Sequence, residues 1–221
     1  MKLLKIFLPI LFLSTICAKA QNINWNSISS ENKNLSTLDF GYDFGLTSQI
    51  GFYKLIPKTK PFYLGIDVSA PMGNVILDDF KLRINGLFKV YQINNYILSA
   101  KVSTNFKRHE TEMVRMASFG SELSLKIGYY RPKWHVSTEF GHQKSISTHL
   151  KHSSKIRANY PDIKDGWYVP TGGNFHFGIS GSKSINSTLA LSFKTGIIMT
   201  ELKDEKATIP MYGQLGLIKQ F

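Results

Sequence analysis

The sequence is short of the residues that usually staple a chain or hold a metal. It contains one cysteine, Cys17, which excludes an intrachain disulfide and any cysteine-based zinc or iron–sulfur centre. Acidic residues are scarce beside basic ones, 15 against 27, and the formal charge is +12. Beyond residue 20 no run reaches the roughly 18 apolar residues of a membrane-crossing helix, and no stretch shows a helical apolar period.

What is there begins with Met1 to Ala20, "MKLLKIFLPILFLSTICAKA". Lys2 and Lys5 precede an apolar core from Ile6 to Cys17 that is too short to span a bilayer, and Ala18-Lys19-Ala20 supplies a small-x-small cleavage pattern. This predicts a secretory signal peptide over residues 1–20 and a single domain over 21–221. Cys17 leaves with the signal, since bulky Ile16 stands where a small residue precedes a lipidated cysteine. Loss of Lys2, Lys5 and Lys19 lowers the formal charge from +12 to +9. For an exported basic domain the expected anionic partners are lipid phosphates and surface polysaccharide, and not nucleic acid.

The remaining chain alternates. Leu38, Phe40, Tyr42, Phe44, Leu46, Ile50 and Phe52 fall on even positions, against Asp39, Gly41, Asp43, Gly45, Thr47, Gln49 and Gly51 on odd ones. That is the period of a strand with one apolar and one polar face. The pattern returns at Phe62–Ala70, Leu82–Val90, Tyr96–Phe106, Phe119–Tyr129, Trp134–His142, Phe175–Gly181, Leu189–Met199 and Met211–Phe221. An all-β chain with no helix is expected.

A soluble sandwich or lipocalin-like barrel turns the apolar faces inward, whereas a membrane barrel turns them to lipid and packs polar faces inside. The polar faces favour the second. They carry Asp39, Asp43, Asp67, Glu122 and Glu139 against Lys81, Arg83, Lys89, Lys101, Lys126 and Lys194, interspersed with glycine and serine. Glycine weakens a strand unless space is tight, and a narrow lumen is a tight space in which opposite charges pair. Aromatic residues bracket the short turns as well: Phe52, Tyr53, Phe62 and Tyr63 around one, Tyr91 and Tyr96 around the next, and Tyr129, Tyr130 and Trp134 around a third. Such rings at one level read as an interfacial girdle.

The segment "MYGQLGLIKQF" resembles the C-terminal strand of Gram-negative outer-membrane β-barrel proteins. In that class the last residue is typically phenylalanine, alternate preceding residues are apolar, and the strand both closes the barrel and is read by the assembly machinery. Met211, Leu215, Leu217 and Phe221 match, and Lys219 departs from the pattern. The resemblance implies localisation in the outer membrane, with its lipids, lipopolysaccharide and the assembly machinery as partners.

Pro57–Lys60, Asn94-Asn95, Arg131–Lys133 and Ser184–Ser187 are then periplasmic turns, and Pro71–Asp79, Arg108–Glu112, Gln143–Gly172 and Glu201–Thr208 extracellular loops. Nine strands follow from Leu38 onward, and with Asn22–Ser29 as the first the expected fold is a closed antiparallel ten-stranded barrel; eight strands is the alternative. A barrel this small is largely filled by side chains.

Three roles are compatible with that architecture. The first is a structural, accessory or surface-interaction protein with a charge-paired lumen. The second is a narrow, porin-like channel for small polar or anionic solutes. The third is a lipid A or phospholipid hydrolase, suggested by His135, Ser137 and Glu139 on one face and by the His-x-Ser pair of bacterial lipid A deacylases. The expectation is no enzyme and no cofactor, because that face is the polar one and acyl chains are reached from the lipid side. No metal site is expected either, since His142, His149 and His152 lack clustered carboxylates. "TGGN", Thr171–Asn174, reads as a turn into a strand and not as a phosphate cradle, which needs a following helix. In the long loop Lys144, Lys151, Lys155, Arg157 and Lys164 outnumber Asp162 and Asp165, which makes Lys151, Lys155 and Arg157 candidates for contact with lipopolysaccharide phosphates.

Overall fold

The computed structural model describes residues 23–27, 33–57, 62–72, 78–170, 172–202, 207 and 209–221. The expected signal segment, residues 1–20, lies outside them. In chain order the elements are β1 (Asn34–Tyr42), β2 (Leu46–Ile56), β3 (Phe62–Pro71), β4 (Asp79–Ile93), β5 (Tyr96–Glu110), β6 (Val114–Arg131), β7 (Trp134–His152), α1 (Ser154–Asn159), β8 (Gly166–Tyr168), β9 (Gly173–Ser184), β10 (Leu189–Thr200) and β11 (Met211–Gln220). Each long strand pairs antiparallel with the next, β7 with β9 across the short β8, and β11 with β1. The result is a closed antiparallel barrel of ten strands, with β8 a flap on the outer reach of β7.

Closure is tight where β1 meets β11. A Cβ on Gly41 would lie 2.1 Å from the carbonyl oxygen of Gly213, so only glycine permits that approach. At the other end of the seam the backbones of Asn34 and Phe221 exchange hydrogen bonds of 2.9 and 3.0 Å. Met211, Leu215 and Phe221 face outward and are exposed, Leu217 is half-buried on the same face, and Gln214, Ile218 and Gln220 point inside.

The tenth strand is not the expected one. Ile23–Ser27 forms a turn with no ladder partner; the Asn24 side chain accepts from the backbone N–H of Asn26 and donates to the carbonyl of Arg131. Such local bonding competes with strand pairing. The additional strand comes instead from the long alternation at Leu38–Phe52, which reverses at Asp43-Phe44-Gly45 into β1 and β2. Tyr42 pairs with Leu46 across that turn, so a three-residue connection keeps even positions outward on both strands and conceals the break.

The ends of β2, β4, β6 and β9 lie at one end of the barrel with the start of β1 and the end of β11, here the terminal end. The connections β1–β2, β3–β4, β5–β6, β7–β9 and β10–β11 lie at the opposite, loop end. Two of these are shorter than expected, because β5 runs on to Glu110 and β7 to His152. Within the long connection lies the unexpected helix α1, whose N-terminus is capped by Ser153 Oγ accepting from Ile156 N–H at 3.4 Å.

Alternation sets the faces. Ile50, Leu64, Ile84, Val102, Ile127 and Leu215 are exposed on the outside, while Gln49, Asp67, Asn85, Ser103, Ser124 and Ser180 are buried within. The aromatic doublets divide the same way, because adjacent strand residues face opposite sides. Phe52, Phe62, Tyr129 and Trp134 are outside, whereas Tyr53, Tyr63 and Tyr130 are buried inside. The expected girdle is therefore built from six of its nine named residues, Tyr91 and Tyr96 included, and the other three fill the barrel.

Candidate functional site

The interior has two dissimilar halves. At the terminal end Leu35, Tyr53, Leu55, Tyr63, Leu87, Ile97, Tyr130 and Ile218 form one apolar cluster, completed by Ile23 and Trp25 folded into the barrel mouth. Trp25 packs on Tyr63 with ring centroids 5.8 Å apart. This cluster fills much of the described interior at that end.

Above it stands a charged layer. Asp67 accepts from Arg83 Nε at 2.5 Å, Asn85 Nδ2 at 2.6 Å and Tyr53 Oη at 3.1 Å. Arg83 also donates to Ser69 Oγ at 2.5 Å and to Asp43 at 3.2 Å. The tyrosine hydroxyl thus ties the apolar cluster to the ionic layer. On the opposite wall Lys101 pairs with Glu122 at 2.6 Å and Lys126 with Glu139 at 2.9 Å. His176 Nε2 lies 3.3 Å from Glu139 and 4.0 Å from Glu122.

Between these walls is a cavity of about 90 Å³, lined by Asp43, Lys81, Arg83, Lys101, Glu122, Glu139, Gln143, Asn174, His176, Lys194, Ile198 and Tyr212. Glycines make its space. A Cβ on Gly141 would stand 2.3 Å from the His176 ring, and one on Gly178 would stand 2.1 Å from the Tyr212 hydroxyl. The His176 ring lies across Gly141 of the neighbouring β7, and the Tyr212 ring across Gly196 of β10 and Gly178 of β9.

Ten of the eleven charges expected in the lumen belong to this layer or border it: Asp39, Asp43, Asp67, Lys81, Arg83, Lys101, Glu122, Lys126, Glu139 and Lys194, five acids and five bases. Asp39 is buried with its carboxylate over Gly216. Lys89 is the exception. It sits toward the terminal end of β4, beside the bulge between Lys89 and Tyr91, and donates to Gln92 at 3.1 Å.

The set His135, Ser137 and Glu139 shares one face, but its members bond elsewhere. His135 Nδ1 meets Ser182 Oγ at 2.8 Å under a stacked Tyr130 ring, Ser137 meets Ser180 Oγ at 2.9 Å, and Glu139 engages Lys126 and His176. His142, His149 and His152 are similarly dispersed, beside Glu201, Trp167 and Asp165 respectively. Lys151, Lys155 and Arg157 stand near the loop end, and Arg157 lies 3.8 Å from Asp165.

Sequence reasoning missed His176 and Tyr212. Their signal was inward parity in "FHFG" and "MYGQ", with His176 two residues before Gly178 and Tyr212 directly before Gly213. With Glu122 and Glu139, His176 forms a group whose ligand-type atoms lie within 4.8 Å of one another. Both carboxylates, however, already hold an ammonium at hydrogen-bond distance, so the group is charge-compensated by lysine.

No family model matches this chain, and no curated protein matches it.

Proposed function

We propose that the protein is an integral outer-membrane barrel that does not conduct solutes and acts at its loop end, in an accessory or surface-interaction role. The observation carrying this is the outer face: an apolar band between two aromatic belts. At the terminal end Phe52 packs on Phe221, Phe62 on Phe88, and Tyr129 between Tyr96 and Trp134. At the loop end Phe80, Phe106, Phe119 and Trp167 follow one another around the wall at centroid spacings of 5.7, 5.0 and 6.1 Å. On β5 the belts are marked by Tyr96 and Phe106, ten residues apart. At about 3.3 Å per residue and a strand tilt of about 40°, that separation is about 25 Å along the barrel axis, the height of the apolar band of outer-membrane barrels. Soluble monomers rarely expose so continuous an apolar surface, which supports the membrane reading.

The apolar cluster that fills much of the terminal end argues against a channel, and the dispersal of His135, Ser137 and Glu139 argues for a non-catalytic role. The test has two parts. Cell fractionation should place the mature chain with outer membranes, with heat-modifiable migration in mild detergent; recovery in a soluble fraction overturns the membrane reading. Purified barrel in planar bilayers should give no discrete conductance steps, and steps that disappear when the Tyr63 region is crosslinked would establish a channel instead.

A further inference from the structure

We propose that the cavity in the loop-end half of the barrel is a binding site for a small oxyanion, a carboxylate or phosphate group. The inference goes beyond the membrane reading and does not depend on it, because it concerns the barrel interior alone.

Shape comes first. The space is about 90 Å³, enough for several water molecules or one small oxyanion. Beneath it the interior is filled by the apolar cluster around Tyr53 and Tyr63, so the polar space belongs to the loop-end half of the barrel.

Charge selects the ligand. Four cationic side chains line the cavity, Lys81, Arg83, Lys101 and Lys194, against the three acids Asp43, Glu122 and Glu139. The acids are committed: Glu122 to Lys101 at 2.6 Å, Glu139 to Lys126 at 2.9 Å, and Asp43 to Arg83 at 3.2 Å. Lys81 is the under-served member. It is 5% exposed, and its ammonium lies 3.4 Å from Gln143 Oε1 and 3.9 Å from Asp43. An ammonium has three protons to donate, and a buried one needs close acceptors to offset its lost hydration. An oxyanion in the cavity supplies them, and the Asn174 amide and Tyr212 hydroxyl, which also line it, provide neutral donors for its other oxygens.

The competing occupant is a divalent cation on Glu122, Glu139 and His176. The ammonium groups of Lys101 and Lys126 already occupy the carboxylates and would repel it, so the lining favours an anion.

The experiment is calorimetric titration of the full-length barrel, in nonionic detergent at low ionic strength, with orthophosphate and with acetate. The variants are Lys81→Gln and Asn174→Leu. Asn174 makes no ion pair, so its variant keeps the test valid if Lys81→Gln fails to fold; folding is scored by heat-modifiable migration. Saturable binding of one probe at one site per barrel, weakened at least tenfold by either substitution in folded protein, supports the site. Absence of saturable binding of both probes to the unsubstituted barrel, or equal affinity in the folded variants, overturns it. Displacement of bound phosphate by lipid A micelles identifies a lipid phosphate as the ligand source, and retention identifies the free ion; both presuppose the site. Membrane fractionation and conductance are read independently, so failure here leaves the membrane reading standing and the reverse also holds.

Discussion

At Arg83 one guanidinium meets Asp67, Asp43 and Ser69 at 2.5, 3.2 and 2.5 Å, joining β3 and β4 to the turn between β1 and β2. Asp67 is 1% exposed. Removing Arg83 leaves that carboxylate with only Asn85 and Tyr53, and breaking one side of a buried pair costs about 3–5 kcal/mol. Arg83→Met should lower barrel stability by that order in urea unfolding followed by tryptophan fluorescence. Arg83→Met combined with Asp67→Leu should recover part of the loss, because the Asp67 charge is removed with its partner while Asp43 still loses the guanidinium at 3.2 Å. A single-variant loss below about 1 kcal/mol would mean that solvent reaches Asp67. The inward direction of these side chains was legible in the sequence, since parity alone fixes the face. Their pairing was not: Asp43 reaches Arg83 across a turn that the uninterrupted alternation concealed, and Glu122 reaches Lys101 through the register of β5 against β6.

At the scale of elements, β11 carries the seam. Phe221 both closes the backbone ladder with Asn34 and rests its ring 6.1 Å from that of Phe52. Deleting Phe221 should impair assembly far more than deleting Asn159 from the end of α1, measured as the fraction of heat-modifiable barrel in membranes. Equal yields would make the terminal aromatic incidental. The long connection behaves differently, tied to β7 by the short β8 pairing and by one acid. Asp165 accepts from the backbone N–H of His152 at 2.8 Å and lies as close to its Nδ1. The backbone bond first, then the side-chain bond, holds the Asp165 carboxyl below its ordinary range. A carboxylate with a lowered pKa contributes its anchoring above the ordinary value and loses it as pH falls through the lowered one. Residues 154–168 should therefore keep their hydrogen-exchange protection from neutral pH down to about 4 and lose it only in stronger acid, whereas Asp165→Asn should loosen them at neutral pH. A transition near pH 6.5 would assign the control to histidine instead. Eight of the ten strands were legible one by one because each alternation is long and turn-bounded, whereas β1 and β2 read as one, because the turn at Asp43-Phe44-Gly45 keeps even positions outward on both. The helix was not, because six residues with no buried side chain leave no apolar stripe to read.

Taken whole, the molecule is asymmetric along its axis: packed with apolar side chains at the terminal end, ionic within, and basic at the rim. Much of the rim charge is spent internally, Arg108 and Arg115 on Glu110, Lys144 on Glu201, and Arg157 on Asp165. Lys151, Lys155 and Lys164 make no ion pair among the described residues. These lysines are what an anionic surface would meet if the loop end faces outward, as proposed, and basic side chains near such a surface contribute on the order of 1 kcal/mol each within a Debye length. Replacing Lys151, Lys155 and Arg157 by glutamine should then weaken binding of the purified barrel to lipopolysaccharide micelles, by about tenfold or more at low salt. Lys151 and Lys155 should carry most of the effect, because Arg157 already faces Asp165. Assembly should be unchanged, since these side chains lie beyond the barrel seam. High salt should weaken the unsubstituted protein toward the level of the variant, as screening requires. Binding that ignores both salt and the triple substitution would remove the rim from consideration and leave the cavity as the only anion site to pursue.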